Sequence, residues 1–173
     1  MAISGFTRVC ANNIGGGVAL YIANAADVTS MTKGTGVESY ASITMGTGTV
    51  FYQYQFEQDS AQMTVNAEGD GPGKAITNQV ICDLGKLTQL QRDEIQQIIA
   101  SNSCGYVVIF KDANGTQWVF GYDELDTTER NMKLLTHAFD SKATFSEEPD
   151  SILTLQSIQR ELPRTYTGAV PTT

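Results

Sequence analysis

The sequence predicts a mainly β protein, an antiparallel β-sandwich or small barrel carrying one short α-helix and extended N- and C-terminal arms. Three observations carry that expectation. Apolar and polar residues alternate with period two across 49–67 and again across 76–84, the mark of half-buried strands. An Asn114-Gly115 turn signal separates the apolar runs 106–110 and 117–122. Only one segment has the 3–4 spacing of an amphipathic helix, and it opens on a capping box.

Taken in order, residues 1–17 are small and glycine-rich and predict an N-terminal arm. Residues 18–161 predict the β domain. Its first strand, 18–24, is nearly continuous in apolar side chains. Residues 26–48 are rich in Gly and Thr and leave two options, a hidden hairpin with 41–45 as its returning strand or a projecting contact loop. The projecting loop is favoured, with Met31, Lys33, Tyr40 and Met45 as assembly candidates. On that reading, deletion of residues 30–46 leaves a folded protomer.

In 49–67, Tyr52, Tyr54 and Phe56 fall opposite Phe51, Gln53, Gln55 and Glu57, and Met63 and Val65 alternate with Gln62, Thr64 and Asn66. Across 76–84, Ile76, Val80, Cys82 and Leu84 share a face. Thr88 as N-cap and Gln91 at N3 start a helix at about 89–101, with Ile95, Ile98 and Ile99 on its apolar side. Strands follow at 106–110, 117–122, 132–139 and 151–160, about eight in all. Residues 162–173, with Pro163 and Pro171, predict an extended C-terminal tail.

Composition excludes several function classes. The chain has 173 residues, 41% of them hydrophobic and only 17% charged, with 19 acids against 11 bases and a net charge of −8. A globule of this length buries roughly 70% of its unfolded surface and needs no staples. The eleven cations form no cluster of the kind that grips a nucleic-acid backbone. Cys10, Cys82 and Cys104 are odd in number and widely spaced, which argues against a disulfide framework or a zinc site; all three are expected as small reduced core residues. The N-terminus has neither the basic region nor the apolar run of a signal peptide, and no segment has the length of a membrane span, so a cytosol-like compartment is expected.

Motifs for catalysis are sparse. His137 is the sole histidine and lies in a strand pattern. Gly69–Lys74 departs from a phosphate loop, with Glu68 where the first glycine belongs and Ala75 in place of the metal-binding hydroxyl. Asp112–Gly115 has too few ligands for a calcium loop and reads as a turn. The acidic clusters Asp123, Glu124, Asp126 and Glu147, Glu148, Asp150 read as solvated loops, and Trp118 as a core residue. The expectation is a non-enzyme with no catalytic residue, cofactor or metal.

The order of elements resembles the tail tube proteins of tailed bacteriophages: a small-residue arm, a long early loop, the strands of Phe51–Val65, a mid-chain helix at Thr88–Ser101, the hairpin Tyr106–Tyr122 and the closing Ile152–Pro163. The resemblance is one of architecture and covers most of the chain. It implies a virion structural protein whose copies form stacked, hexameric rings. Those rings join other tail proteins and conduct genomic DNA without specific binding, after assembly in the host cytoplasm. Glu57, Asp59, Glu68 and Asp70 are then candidates for acids facing the channel, and the Gln/Thr/Asn-rich strand faces suit a wet wall. A head–tail connector, a capsid decoration protein, a ligand-binding sandwich using Trp118 and nearby tyrosines, and a hydrolase using the acidic clusters are the alternatives.

Overall fold

The computed structural model describes residues 15–35, 38–56, 60–69, 75–143 and 149–172. Its elements in chain order are β1 (Gly17–Asn24), β2 (Val28–Lys33), β3 (Tyr40–Met45), β4 (Tyr52–Tyr54), β5 (Ala61–Glu68), β6 (Ala75–Asp83), α1 (Gln89–Ser101), β7 (Tyr106–Asp112), β8 (Gln117–Phe120), β9 (Lys133–Asp140), β10 (Asp150–Gln159) and β11 (Thr165–Tyr166). They build a seven-stranded sheet in the order β2-β3-β11-β8-β7-β1-β4 and a four-stranded sheet in the order β5-β6-β10-β9. Every pairing is antiparallel except β11 against β3.

The seven-stranded sheet is covered on both faces, and β7 explains why. Tyr106–Phe110 is an unbroken apolar run, and all five side chains are buried, as expected of a strand with no solvated face. Tyr106, Val108 and Phe110 point into a core between the sheets with Leu20, Ile22, Val80, Cys82, Leu153 and Leu155. Val107 and Ile109 point the other way, into a second core with Val28, Met31, Tyr40, Val119, Tyr122 and Tyr166. Gly17 is required where β1 meets β7: a Cβ there would stand 2.3 Å from the Phe110 ring.

α1 forms where its signals place it. Gln91 N donates to Thr88 Oγ1 and Thr88 N donates to Gln91 Oε1 at 2.8 Å, completing the capping box. Ile95 and Ile98 dock on the inter-sheet core, and the Tyr106 hydroxyl donates to Ile98 O. Ile99 lies mostly outside this contact. The β7–β8 turn is likewise as expected. Asp112 Oδ1 accepts from Asn114 N and Thr116 N, Gly115 takes φ 87°, and Trp118 Nε1 donates to Asp112 Oδ2 at 3.1 Å.

Three expectations are corrected. Residues 26–48 do not project: β2 and β3 form a hairpin inside the large sheet, with Met31 and Tyr40 buried, so deleting 30–46 would empty part of the second core. The C-terminal residues 162–172 are not a free tail, because β11 lies between β3 and β8, Tyr166 is buried and Pro171 O accepts from Phe51 N. Cys104 is exposed rather than a core residue; Cys82 is buried, and burial pushes its thiol up to about 12. Cys10 and residues 1–14 of the expected arm lie outside the described residues.

Candidate assembly surface

The four-stranded sheet has one face in the core and one face outward. On the outward face stand Gln62, Thr64, Asn66 and Glu68 of β5, Thr77, Gln79 and Ile81 of β6, and Ile152, Thr154, Gln156 and Ile158 of β10. This follows from the strand alternation against the buried Ile76, Val80, Cys82, Leu153 and Leu155. Cross-strand registers align Gln62–Ile81–Thr154–Thr136 and Thr64–Gln79–Gln156–Lys133 as rows across all four strands. The result is a largely polar wall with few charges, Glu68 near one edge and Lys133 on the other, interrupted by Ile81 and the exposed Ile152 and Ile158.

Both edges of this sheet are long. β5 and β9 each run eight residues, and among the described residues no strand pairs with their outer sides. Natural sheets guard such edges with charge, proline or bulges. β9 is partly guarded: the register shifts at Leu135, and Asn102 covers both backbone groups of Leu134, donating to its carbonyl at 3.0 Å and accepting from its N–H at 2.6 Å. β5 has no such device. From Ala61 to Ala67 it carries no charge and no proline, and its pairing to β6 is regular throughout.

Of the four candidate channel acids, Glu68 lies exposed on this wall, while Glu57, Asp59 and Asp70 lie outside the described residues. The candidate assembly residues go elsewhere. Met31 and Tyr40 are core, and Met45 packs against that core. Lys33 joins an ion-pair network, 2.6 Å from Glu124 and 3.4 Å from Glu38, and Arg164 reaches Glu38, Glu124 and Glu161. This network ties the β2–β3 hairpin to the C-terminal segment. Arg164 and Lys33 hold the Glu38 carboxyl below its ordinary value. The wall's polar alternation was visible in the sequence; that β5 and β9 are its outer strands depends on strand order and was not.

The remaining sequence candidates resolve into structural roles. His137 Nε2 lies 3.0 Å from Ser151 Oγ, yet Ser151 is fully buried, and Asp83 Oδ1 is occupied by the amides of Ser151 and Gly85. Burial lowers the His137 pKa. Trp118 is partly buried and packs against the inter-sheet core. Asp126 pairs with Arg130 at 2.5 Å and Arg160 at 3.3 Å. Asp123 is buried rather than solvated, its Oδ1 accepting from Asp126 N. Asp150 pairs with Lys142, and Glu147 and Glu148 lie outside the described residues, as does most of the Gly69–Lys74 turn. Among the described residues no three His, Cys, Asp or Glu groups gather as metal ligands, and no helix is long and apolar enough to cross a membrane.

Comparison of the chain with protein-family models, with characterised proteins and with solved structures gives no match.

Proposed function

We propose that this chain is a virion structural protein, the tail tube subunit of a tailed bacteriophage. Its copies close into rings that stack around a channel through which the genome passes. What supports the reading is the four-stranded sheet: among the described residues no strand pairs with the outer side of β5 or β9, and the outward face is largely polar with few charges. β5 and β9 lie at opposite edges and run antiparallel to each other across the sheet. β9 of one copy therefore meets β5 of the next in antiparallel sense. A head-to-tail contact of this kind closes a ring under rotation.

In such a ring the four-stranded sheets become one continuous barrel and the β5 and β9 edges are buried. The wall, rich in Thr, Gln and Asn, faces the lumen, hydrated and with Lys133 as a lone cation at its β9 edge, too little positive charge to hold phosphate. Hexameric symmetry, contact with other tail proteins and location in the virion belong to the same proposal and come from the architectural resemblance. Sedimentation velocity over a wide concentration range tests it. Rings that go on to stack into longer assemblies as concentration rises support the reading, a single closed ring that never stacks favours a connector or decoration protein, and a monomer at every concentration opposes both.

A further inference from the structure

A groove runs between α1 and β4, the edge strand of the seven-stranded sheet. It comprises two adjoining cavities of about 290 Å³ each, both lined by Tyr52, Tyr54 and Glu94. Two periodicities build it. Tyr52 and Tyr54 pair in register with Ile22 and Leu20 of β1, which places both tyrosines on the face of the sheet that Ile95 and Ile98 of α1 also pack against. Gln91, Glu94 and Gln97 recur every three residues and give the helix a polar stripe along the opposite wall. Tyr52 is 60% exposed, so the fold leaves most of this side chain uncovered. Tyr54 is half-buried, and burial, then the Glu94 carboxylate, pushes its phenol up to about 12.

The lining chemistry narrows the ligand. Among the described residues neither cavity is lined by a lysine or arginine, so the groove has no cation to hold a phosphate or carboxylate. A wholly apolar ligand would strip water from Glu94 and the amides without replacing it. β4 has three residues, too short an edge for a peptide strand to pair along. A cation would suit Glu94 and the tyrosine rings, but it has no acceptor for the amide donors. Those amides outnumber the carboxylate: Asn24 and Gln97 line one cavity, Gln55 and Gln91 the other. Asn24 Nδ2 donates to Asp27 and Gln91 Oε1 serves the capping box, which leaves Asn24 Oδ1 as an acceptor and Gln91 Nε2 as a donor. Gln55 and Gln97 are exposed and offer both. Hydroxyls, which donate and accept at once, match this set.

We propose that the α1–β4 groove binds a neutral oligosaccharide, with a pyranose ring stacked on Tyr52 and its hydroxyls bonded to Glu94 and the flanking amides. The apolar C–H face of the sugar covers the exposed tyrosine, and vicinal hydroxyls span the two oxygens of the carboxylate. The two cavities, which meet at Tyr52 and Glu94, take successive sugar units. Trp118 lines neither cavity. Binding here does not depend on ring closure.

Nuclear magnetic resonance titration of the isotope-labelled full chain tests this, with maltohexaose, cellohexaose and chitohexaose as sugar probes and acetyl-Ala-Arg-Ala-amide as a cationic peptide probe. At least one sugar is expected to give saturable shifts confined to the amides of residues 52–55 and 91–101. Tyr52→Ala and Glu94→Ala are each expected to weaken its binding roughly tenfold. Both side chains are exposed, so thermal melting of each variant should match the parent. No saturable shift with any of the three sugars, shifts confined to another part of the chain, or tighter binding of the arginine peptide than of any sugar would overturn the proposal. Folded variants that bind sugar as the parent does would overturn it equally.

Discussion

The side-chain amide of Asn102, just past the end of α1, pairs with Leu134 as though it were a residue of a fifth strand. It donates to Leu134 O at 3.0 Å and accepts from Leu134 N at 2.6 Å. The two groups it covers are half-buried, so removing the partner leaves both without protein hydrogen bonds. Asn102→Ala is expected to cost about 1–3 kcal/mol, read as a lower midpoint in chemical denaturation. Asn102→Asp keeps the acceptor and loses the donor, and falls between the two.

Tyr40 and Tyr122 meet edge to face, with ring centroids 5.6 Å apart, yet their hydroxyls differ. Tyr122 Oη accepts from Met31 N at 3.2 Å, whereas the Tyr40 hydroxyl is buried with no partner, and burial raises its pKa. Tyr122→Phe is expected to destabilise by about 1–2 kcal/mol, because it strands a buried N–H. Tyr40→Phe is expected to be neutral or stabilising by up to about 1 kcal/mol. Equal losses from the two variants would contradict the assignment.

Among the described residues, the C-terminal strand β11 alone links β3 to β8. Tyr166→Ala should cost about 3–5 kcal/mol, as for other large aromatic deletions from a core. Removing residues 165–173 should melt the β2–β3 hairpin as well, seen as loss of amide protection in Met31 and Tyr40. A truncated chain with that protection intact would return the segment to the status of a free tail.

Glu38 gives the acid limb of stability a testable component. Arg164, then Lys33, lower its pKa below the ordinary 4.5. A carboxylate with a depressed folded pKa stabilises fully above its unfolded value, and that contribution fades as pH falls through the folded one. The difference in melting temperature between the parent and Glu38→Gln should thus be constant above pH 4.5 and shrink below it. High salt should reduce the difference, since the Glu38 side chain is mostly exposed.

Elements written in local chemistry could be read before any coordinates. The capping box of Thr88 and Gln91, the Asn114-Gly115 turn and the alternation of β5 and β6 depend on near neighbours in the chain, and each forms where expected. The β2–β3 hairpin was obscured because its register shifts between Val28 and Ser30 and between Thr32 and Lys33, which breaks the period-two pattern that marks a strand. β11 has two residues and pairs with strands far away in sequence, so no periodicity announces it. For the candidate surface, the polar wall was legible as Gln62, Thr64 and Asn66 alternating with Met63 and Val65. That β5 and β9 form its margins follows from sheet order, a long-range property.

The central claim is that these two margins join in neighbouring copies. Electron micrographs of the purified protein at high concentration test it most directly. The account predicts rings or hollow tubes of constant width, lost when lysine replaces Thr64 on the β5 edge without lowering the melting temperature of the protomer. Isolated, featureless monomers at every concentration would contradict it.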